Sequence, residues 1–309
     1  MIINASARTD IPAYFSEWLI NRLKAGYVYV RNPYYPTQIT EYSLNQDVVD
    51  SIIFCTKNPR PILPYLNELK KYHPYFFITI TPYGKEIEPQ VPRYQEVIQD
   101  FQKISKQLGK KSVCLRYDPI FINEIYTVEK HKTYFKEMIE ALDGYTEECV
   151  ISFIDLYAKT KRNFPHIQEV TLSQIKELSN AFSEVAQKHH IQLKTCAEDI
   201  DLSEYRITQE GCITKKILQD VIGIPVRDQK SQPLRKGCHC YPSRDIGEYN
   251  TCMHGCLYCY ANEDKKEVNR KYQKHDPLSP LLIGYVEKGD IIKHAKQESL
   301  KERQLSLDI

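Results

Sequence analysis

No long apolar run occurs in this 309-residue sequence. The longest stretches, such as 75-YFFITI-80, fall far short of the roughly 20 residues that a membrane-spanning helix needs. The N-terminus, MIINASARTDIPAYF, has no basic segment leading into an apolar one, so no signal peptide is expected. The reading is of a cytoplasmic protein with no membrane partner. A net excess of charge is also missing, because Lys+Arg 42 against Asp+Glu 40 leaves only +2. Nucleic acid would therefore need a local patch, and the basic run 265-KKEVNRKYQK-274 reads better as a solvated face. There is no phosphate loop, since 81-TPYGK-85 lacks the glycine spacing, and no Gly-x-Ser-x-Gly elbow. No internal repeat beyond a βα rhythm is found, and no low-complexity linker divides the chain.

Apolar residues, at 42%, suffice for a sizeable core, and Tyr is abundant at 23 against 10 Phe. Short β-branched and aromatic runs recur at 2–5, 27–30, 51–55, 75–80, 112–116, 149–154 and 191–196. Their continuous apolarity suits parallel strands buried on both faces. Amphipathic helical patterns stand between them at 15–26, 61–72, 94–109, 129–144 and 173–190. This alternation predicts an α/β fold, a TIM-like or partial (β/α) barrel, with an open doubly wound sheet as the competing architecture. The barrel-like domain is expected over 1–223. An irregular segment and a wrapping tail follow over 224–309.

In a barrel the C-terminal strand ends converge on one rim, where active sites sit. Polar residues cluster at these ends, although any single βα turn is polar simply because it faces water. Arg8 and Asp10 are candidates to clamp an anion and accept a proton, or to form a structural ion pair. Lys57, Arg116 and Asp118 occupy equivalent ends. Asp155 closes an apolar strand, where a buried carboxylate would need a partner. These six are the candidate catalytic residues. Arg31 and Asn32 are candidates for an anionic ligand, or for a turn before Pro33. Glu198 is a candidate for an amine. Cys196 is a possible hydrogen-atom donor, more simply a small buried residue, and Cys55, Cys114 and Cys149 read as core thiols.

The ten cysteines concentrate late in the chain. Cys252, Cys256 and Cys259 fall within 251-TCMHGCLYCYAN-262, spaced Cys-x3-Cys-x2-Cys, after Cys238 and Cys240 in 237-GCHC-240. In a reducing compartment such thiols point to a metal centre more than to disulfides. Zinc modules use paired ligands, a poor match here, so an iron–sulfur cluster is the expected occupant. Cys238 or Cys240 is a possible fourth ligand. His239 and His254 read as neighbours of the ligands.

The triplet, with Tyr258 before its last cysteine, resembles the signature of radical S-adenosylmethionine (SAM) enzymes. The string 254-HGCLYCYA-261 is similar to their spore photoproduct lyase-like branch. That resemblance implies that Cys252, Cys256 and Cys259 hold a [4Fe-4S] cluster with one open iron. SAM would chelate that iron and yield a 5′-deoxyadenosyl radical, and Tyr258 and Glu198 would lie on the cofactor side. It also implies a ferredoxin or flavodoxin as electron donor, and a substrate that is a small molecule, a nucleotide or a nucleic acid. From 6-SARTDIPA-13 to 304-QLSL-307 the chain resembles the bacterial domain of unknown function 1848 family, a resemblance that implies no settled reaction. The alternative is a non-SAM electron-transfer or binding protein whose [4Fe-4S] cluster has four cysteine ligands.

Overall fold

A computed structural model describes residues 1–195, 198–230 and 238–302. The strands are β1 (Ile2–Asn4), β2 (Tyr27–Arg31), β3 (Gln38–Ser43), β4 (Ser51–Thr56), β5 (Tyr75–Thr79), β6 (Val113–Ile120), β7 (Glu148–Phe153), β8 (Gln192–Thr195), β9 (Thr208–Gln209), β10 (Arg244–Asp245) and β11 (Ile291–His294). Eight of them make one all-parallel sheet in the order β10-β1-β4-β5-β6-β7-β8-β9. From β1 to β9 the order follows the chain, without the reversal that marks a doubly wound sheet. The sheet does not close. Its edge strands, β9 and β10, have two residues each and do not pair with one another among the described residues.

The helices are α1 (Ile11–Tyr14), α2 (Ser16–Ala25), α3 (Leu66–Leu69), α4 (Tyr94–Leu108), α5 (Val128–Ala141), α6 (Ala158–Asn163), α7 (Leu172–Lys188), α8 (Lys215–Ile222) and α9 (Lys265–Tyr272). Local sequence explains the long ones. In α4 the residues Val97, Phe101 and Ile104 recur at helical spacing and are buried, and the helix stops at Gly109. In α7 Thr171 and Gln174 form a reciprocal capping box. The helix expected over 61–72 is broken into 3-10 turns around a four-residue α3, because Pro61 and Pro64 withhold backbone donors.

Alternation along the strands divides the sheet into two faces. Ile3, Phe54, Phe76, Ile78, Leu115 and Ile151 pack against α2, α4, α5 and α7 in the main core. Their neighbours Ile2, Ile53, Tyr75, Phe77, Cys114 and Val150 face the other way and meet Ile217, Leu218 and Ile222 of α8. Each such side chain contributes on the order of 1.5–3 kcal/mol on burial. The inner face is therefore apolar at the start of the strands, where α8 covers it, and polar toward their ends.

The run 27-YVYV-30 is a strand, but not of this sheet. β2 pairs antiparallel with β3, and β11 adds to β3 in parallel, forming a separate three-stranded sheet. β10 and β11 lie beyond residue 224 in sequence, and each joins a sheet begun by the N-terminal part.

Candidate functional site

Because β10 runs parallel to β1, the chain leaving Asp245 emerges at the same end as the chains leaving Asn4, Thr56 and Thr79. That register delivers the loop of Cys252, Cys256 and Cys259 to the turns after β1, β4 and β5. The loop is pinned there by its backbone. Gln90 N donates to the His254 carbonyl at 3.0 Å, Leu257 N donates to the Ile87 carbonyl at 3.0 Å, and Asn262 Nδ2 donates to the Cys252 carbonyl at 2.7 Å. Gly255 supplies a left-handed φ of 72° between the first two thiols.

All three cysteines are half-buried as residues. Burial is the main cause that raises their pKa values. Proximity adds to it, since Asp10 and the other two thiols act on Cys252, and Glu88 and Cys259 act on Cys256. Such a group is poorly disposed to ionise alone, whereas a coordinated thiol is deprotonated outright.

Asp10 ties three elements together. Its Oδ1 caps α1 by accepting from Ala13 N at 3.0 Å. Its Oδ2 accepts from Lys57 N at 2.8 Å and lies 2.8 Å from His254 Nε2. Nδ1 of the same ring lies 2.9 Å from the Tyr14 hydroxyl. His254, between Cys252 and Cys256, is thus anchored on both ring nitrogens. Beside it, Lys57 Nζ donates to Glu88 Oε1 at 2.9 Å and to Thr81 Oγ1 at 3.1 Å, and the Tyr258 hydroxyl also donates to Glu88. Glu88 is 2% exposed, so its charge is held almost entirely by these donors.

The structure brings Asp10, Lys57, Tyr258 and the three thiols into one neighbourhood. Arg8 lies alongside but is paired. Its guanidinium binds Asp245 Oδ1 at 3.1 Å and the Asp245 carbonyl at 2.8 Å, and the same carboxylate accepts from Ser6 Oγ, Ala7 N and Gly247 N. Arg116 and Asp118 form an ion pair within β6, level with the end of β5. Arg116 also lowers the tendency of burial to raise Cys55, whose thiol is pushed up to about 11. Glu198 accepts from Ser152 Oγ at 2.8 Å and Phe153 N at 2.9 Å. Its pKa is raised, by burial first and by Asp155 and Asp118 in lesser measure. Asp155 itself is exposed, not buried as expected, because it stands beyond the end of β7 and meets the Tyr157 hydroxyl at 3.1 Å.

Four expected site residues are placed elsewhere. Arg31 sits on the separate sheet in a two-pronged pair with Asp290, at 2.7 and 2.8 Å, and holds that carboxyl down to about 2. Asn32 Oδ1 accepts from Tyr34 N and Tyr35 N in a local turn. Cys238 and Cys240 precede β10, whereas the triplet follows it, and both are buried in the inner-face cluster with Ile213 and Ile217. Cys196 lies outside the described residues. Sequence reasoning passed over Glu88, Tyr14 and Asp245. Glu88 sits in the stretch 81-TPYGKEIEP-89, but nothing local marks it as facing a thiol 168 positions away.

Among the described residues, no group of three or more His, Cys, Asp or Glu side chains closes around a single ion. Thiolates sharing one zinc would stand about 4 Å apart. A four-iron cluster gives each thiolate its own iron and spreads them further. The donor set of the loop, three thiols and no carboxylate or imidazole free of a hydrogen-bond partner, suits such a cluster.

The model of the family described as domain of unknown function (DUF1848) matches residues 2–261. The chain belongs to that family. No curated protein matches the sequence. Among solved structures, a proposed alpha-L-fucosidase from Bacteroides thetaiotaomicron VPI-5482 aligns at 14% identity and a TM-score of 0.28, covering 53% of this chain and 50% of that one. The alignment spans half of that protein, and a likeness of this size carries no argument. No helix among the described residues is long and apolar enough to cross a membrane.

Proposed function

We propose that this chain is an iron–sulfur enzyme of the radical SAM type. Cys252, Cys256 and Cys259 would ligate the cluster, and the substrate would lie at the C-terminal end of the parallel sheet. The observation that carries this reading is the position of the triplet. It follows β10, late in sequence, yet β10 stands first in the spatial order of the sheet. The loop therefore leaves an edge strand and leans over the ends of β1, β4 and β5, which is where such a sheet places its chemistry.

When bound, the cluster would supply one electron at low potential to a chelated sulfonium cosubstrate. The chain's own residues have separate tasks. His254, held by Asp10 and Tyr14, fixes the loop between the first two ligands. Lys57, Glu88 and Tyr258 form a buried charged wall beside Cys256, suited to an amino-acid headgroup that carries both an amine and a carboxylate. Arg116, Asp118 and Glu198 line the further part of the sheet end, where a polar substrate would be oriented.

Anaerobic reconstitution with iron and sulfide, followed by electron paramagnetic resonance of the reduced protein with and without SAM, tests the reading. The expected result is a spectrum that SAM changes, together with release of 5′-deoxyadenosine. An unchanged spectrum and no 5′-deoxyadenosine would leave an electron carrier in its place.

A further inference from the structure

We infer that α9 is the docking face for a small, acidic, one-electron carrier protein that reduces the rim cluster, an inference that rests on the reading just given. That reading requires a reductant, because each electron the cluster spends must be replaced from outside. The step is a bare electron transfer. The carrier is oxidised by one electron, the cluster is reduced by one, and no bond or proton changes place. Tunnelling weakens steeply with distance, so such a carrier must dock where a packed path leads to the ligands. An acidic surface is drawn to a basic face, and electron-transfer encounters are small, weak and steered by charge.

An exposed basic helix is ordinarily no more than solvated. Three observations point further. The first is charge that nothing offsets. Lys265, Lys266, Arg270 and Lys274 are all exposed. The carboxylates around them are engaged, Asp264 in capping α9, Glu267 with Arg270, Glu263 with Lys159 and Glu248 with Lys271. Lys265, Lys266 and Lys274 have no ion pair among the described residues. The second is that Lys265 and Lys266 open the helix, at the end where its dipole disfavours cations, so the helix itself does not call for them. The third is the route inward. Tyr272 closes α9, and its ring packs on Tyr14 at 6.3 Å and on Phe15 at 5.7 Å between centroids. The Tyr14 hydroxyl lies 2.9 Å from His254 Nδ1, and His254 stands two residues from both Cys252 and Cys256. Lys271 ties the helix to the same loop, donating to Glu248 Oε1 at 2.7 Å and to the Tyr249 carbonyl at 3.0 Å. Phe15 and Tyr272 belong to the main core, so this path enters on the helical side of the sheet and leaves the sheet end beside Cys256 to the cosubstrate.

The experiment compares the full chain, reconstituted without oxygen, with K265E/K266E/K274E and K265R/K266R/K274R, and the probe is a bacterial flavodoxin. Binding of its oxidised form is followed by calorimetric titration. Reduction of the cluster by its hydroquinone is followed by bleaching of the cluster absorption. The glutamate variant should bind roughly tenfold more weakly at low salt, with a flatter salt dependence, while the arginine variant keeps wild-type binding. Bleaching by the hydroquinone should slow in parallel, and bleaching by dithionite should not change. Equal binding by all three chains overturns the inference, and so does no binding by the wild type. Equal slowing with dithionite overturns it as well. So does a DNA oligonucleotide that binds the wild type more tightly than flavodoxin does and is lost from the glutamate variant. Charge-dependent reduction by flavodoxin, with no 5′-deoxyadenosine formed from SAM, would instead sink the proposed activity and leave the docking face standing.

Discussion

The two groups of clustered cysteines in this protein lie in different surroundings. The rim triplet sits on a loop, is half-buried, and has Asp10, Lys57, Glu88 and His254 around it. The inner group is buried among Ile213, Ile217 and Leu218, with one guanidinium in contact. A centre that must admit a cosubstrate needs an open face and charges to orient it. Thiols that only fill a core need neither. On the proposed reading the rim triplet carries the chemistry and the inner thiols pack the core, and that division can be attacked from either side.

The largest effect should come from the charged wall at the rim. Lys57→Met leaves Glu88, 2% exposed, without its cation. Removing one partner of a buried pair costs about 3–5 kcal/mol. Urea unfolding of the metal-free chain should show that loss, and the double variant K57M/E88Q should recover part of it. Equal losses in single and double variants would mean that the pair is not coupled, and the rim would then be less organised than the contrast requires.

The main sheet was legible in the sequence because its strands are covered on both faces. Ile52, Ile53 and Phe54 are all fully buried, so β4 reads as a continuous apolar run and needs no partner to be recognised. A run announces a strand but not its neighbours. Tyr27–Arg31 carried the same signal and went to a different sheet, taking Arg31 and Asn32 with it. β10 has two residues, Arg244 and Asp245, and no apolar signal at all. Yet those two residues decide the site. They carry the chain alongside β1 in parallel, so Cys240 precedes the strand that Cys252, twelve positions later, follows. The triplet's spacing was readable as a ligand set. Its companions Glu88 and Tyr14 were not, since only the fold brings them near.

A smaller effect is expected from Gly211→Ala, which addresses the inner group alone. The added methyl meets backbone and not a flexible side chain, so segments 211–213 and 239–241 must separate, at a cost of about 1–3 kcal/mol. Denaturant unfolding should show that loss while SAM cleavage by the folded variant is retained. Loss of SAM cleavage in a variant that still folds would tie the inner thiols to the rim chemistry.

The smallest effect concerns the polar rim that the substrate would meet. Burial holds the Glu198 carboxyl above its ordinary 4.5, against the opposing hydrogen bonds from Ser152 and Phe153. A carboxyl raised by folding binds its proton more tightly in the native state. Its contribution therefore favours the fold below pH 4.5 and is lost as the pH climbs through the raised value. Glu198→Gln abolishes the titration but keeps an acceptor for Ser152 and Phe153. The stability difference between variant and wild type, followed by denaturant unfolding, should move in the variant's favour between about pH 4 and pH 7. A difference that stays flat across this window would mean that Glu198 meets solvent as freely as Asp155 does, and that the open, charged character of the rim reaches further along the sheet end than the thiols themselves.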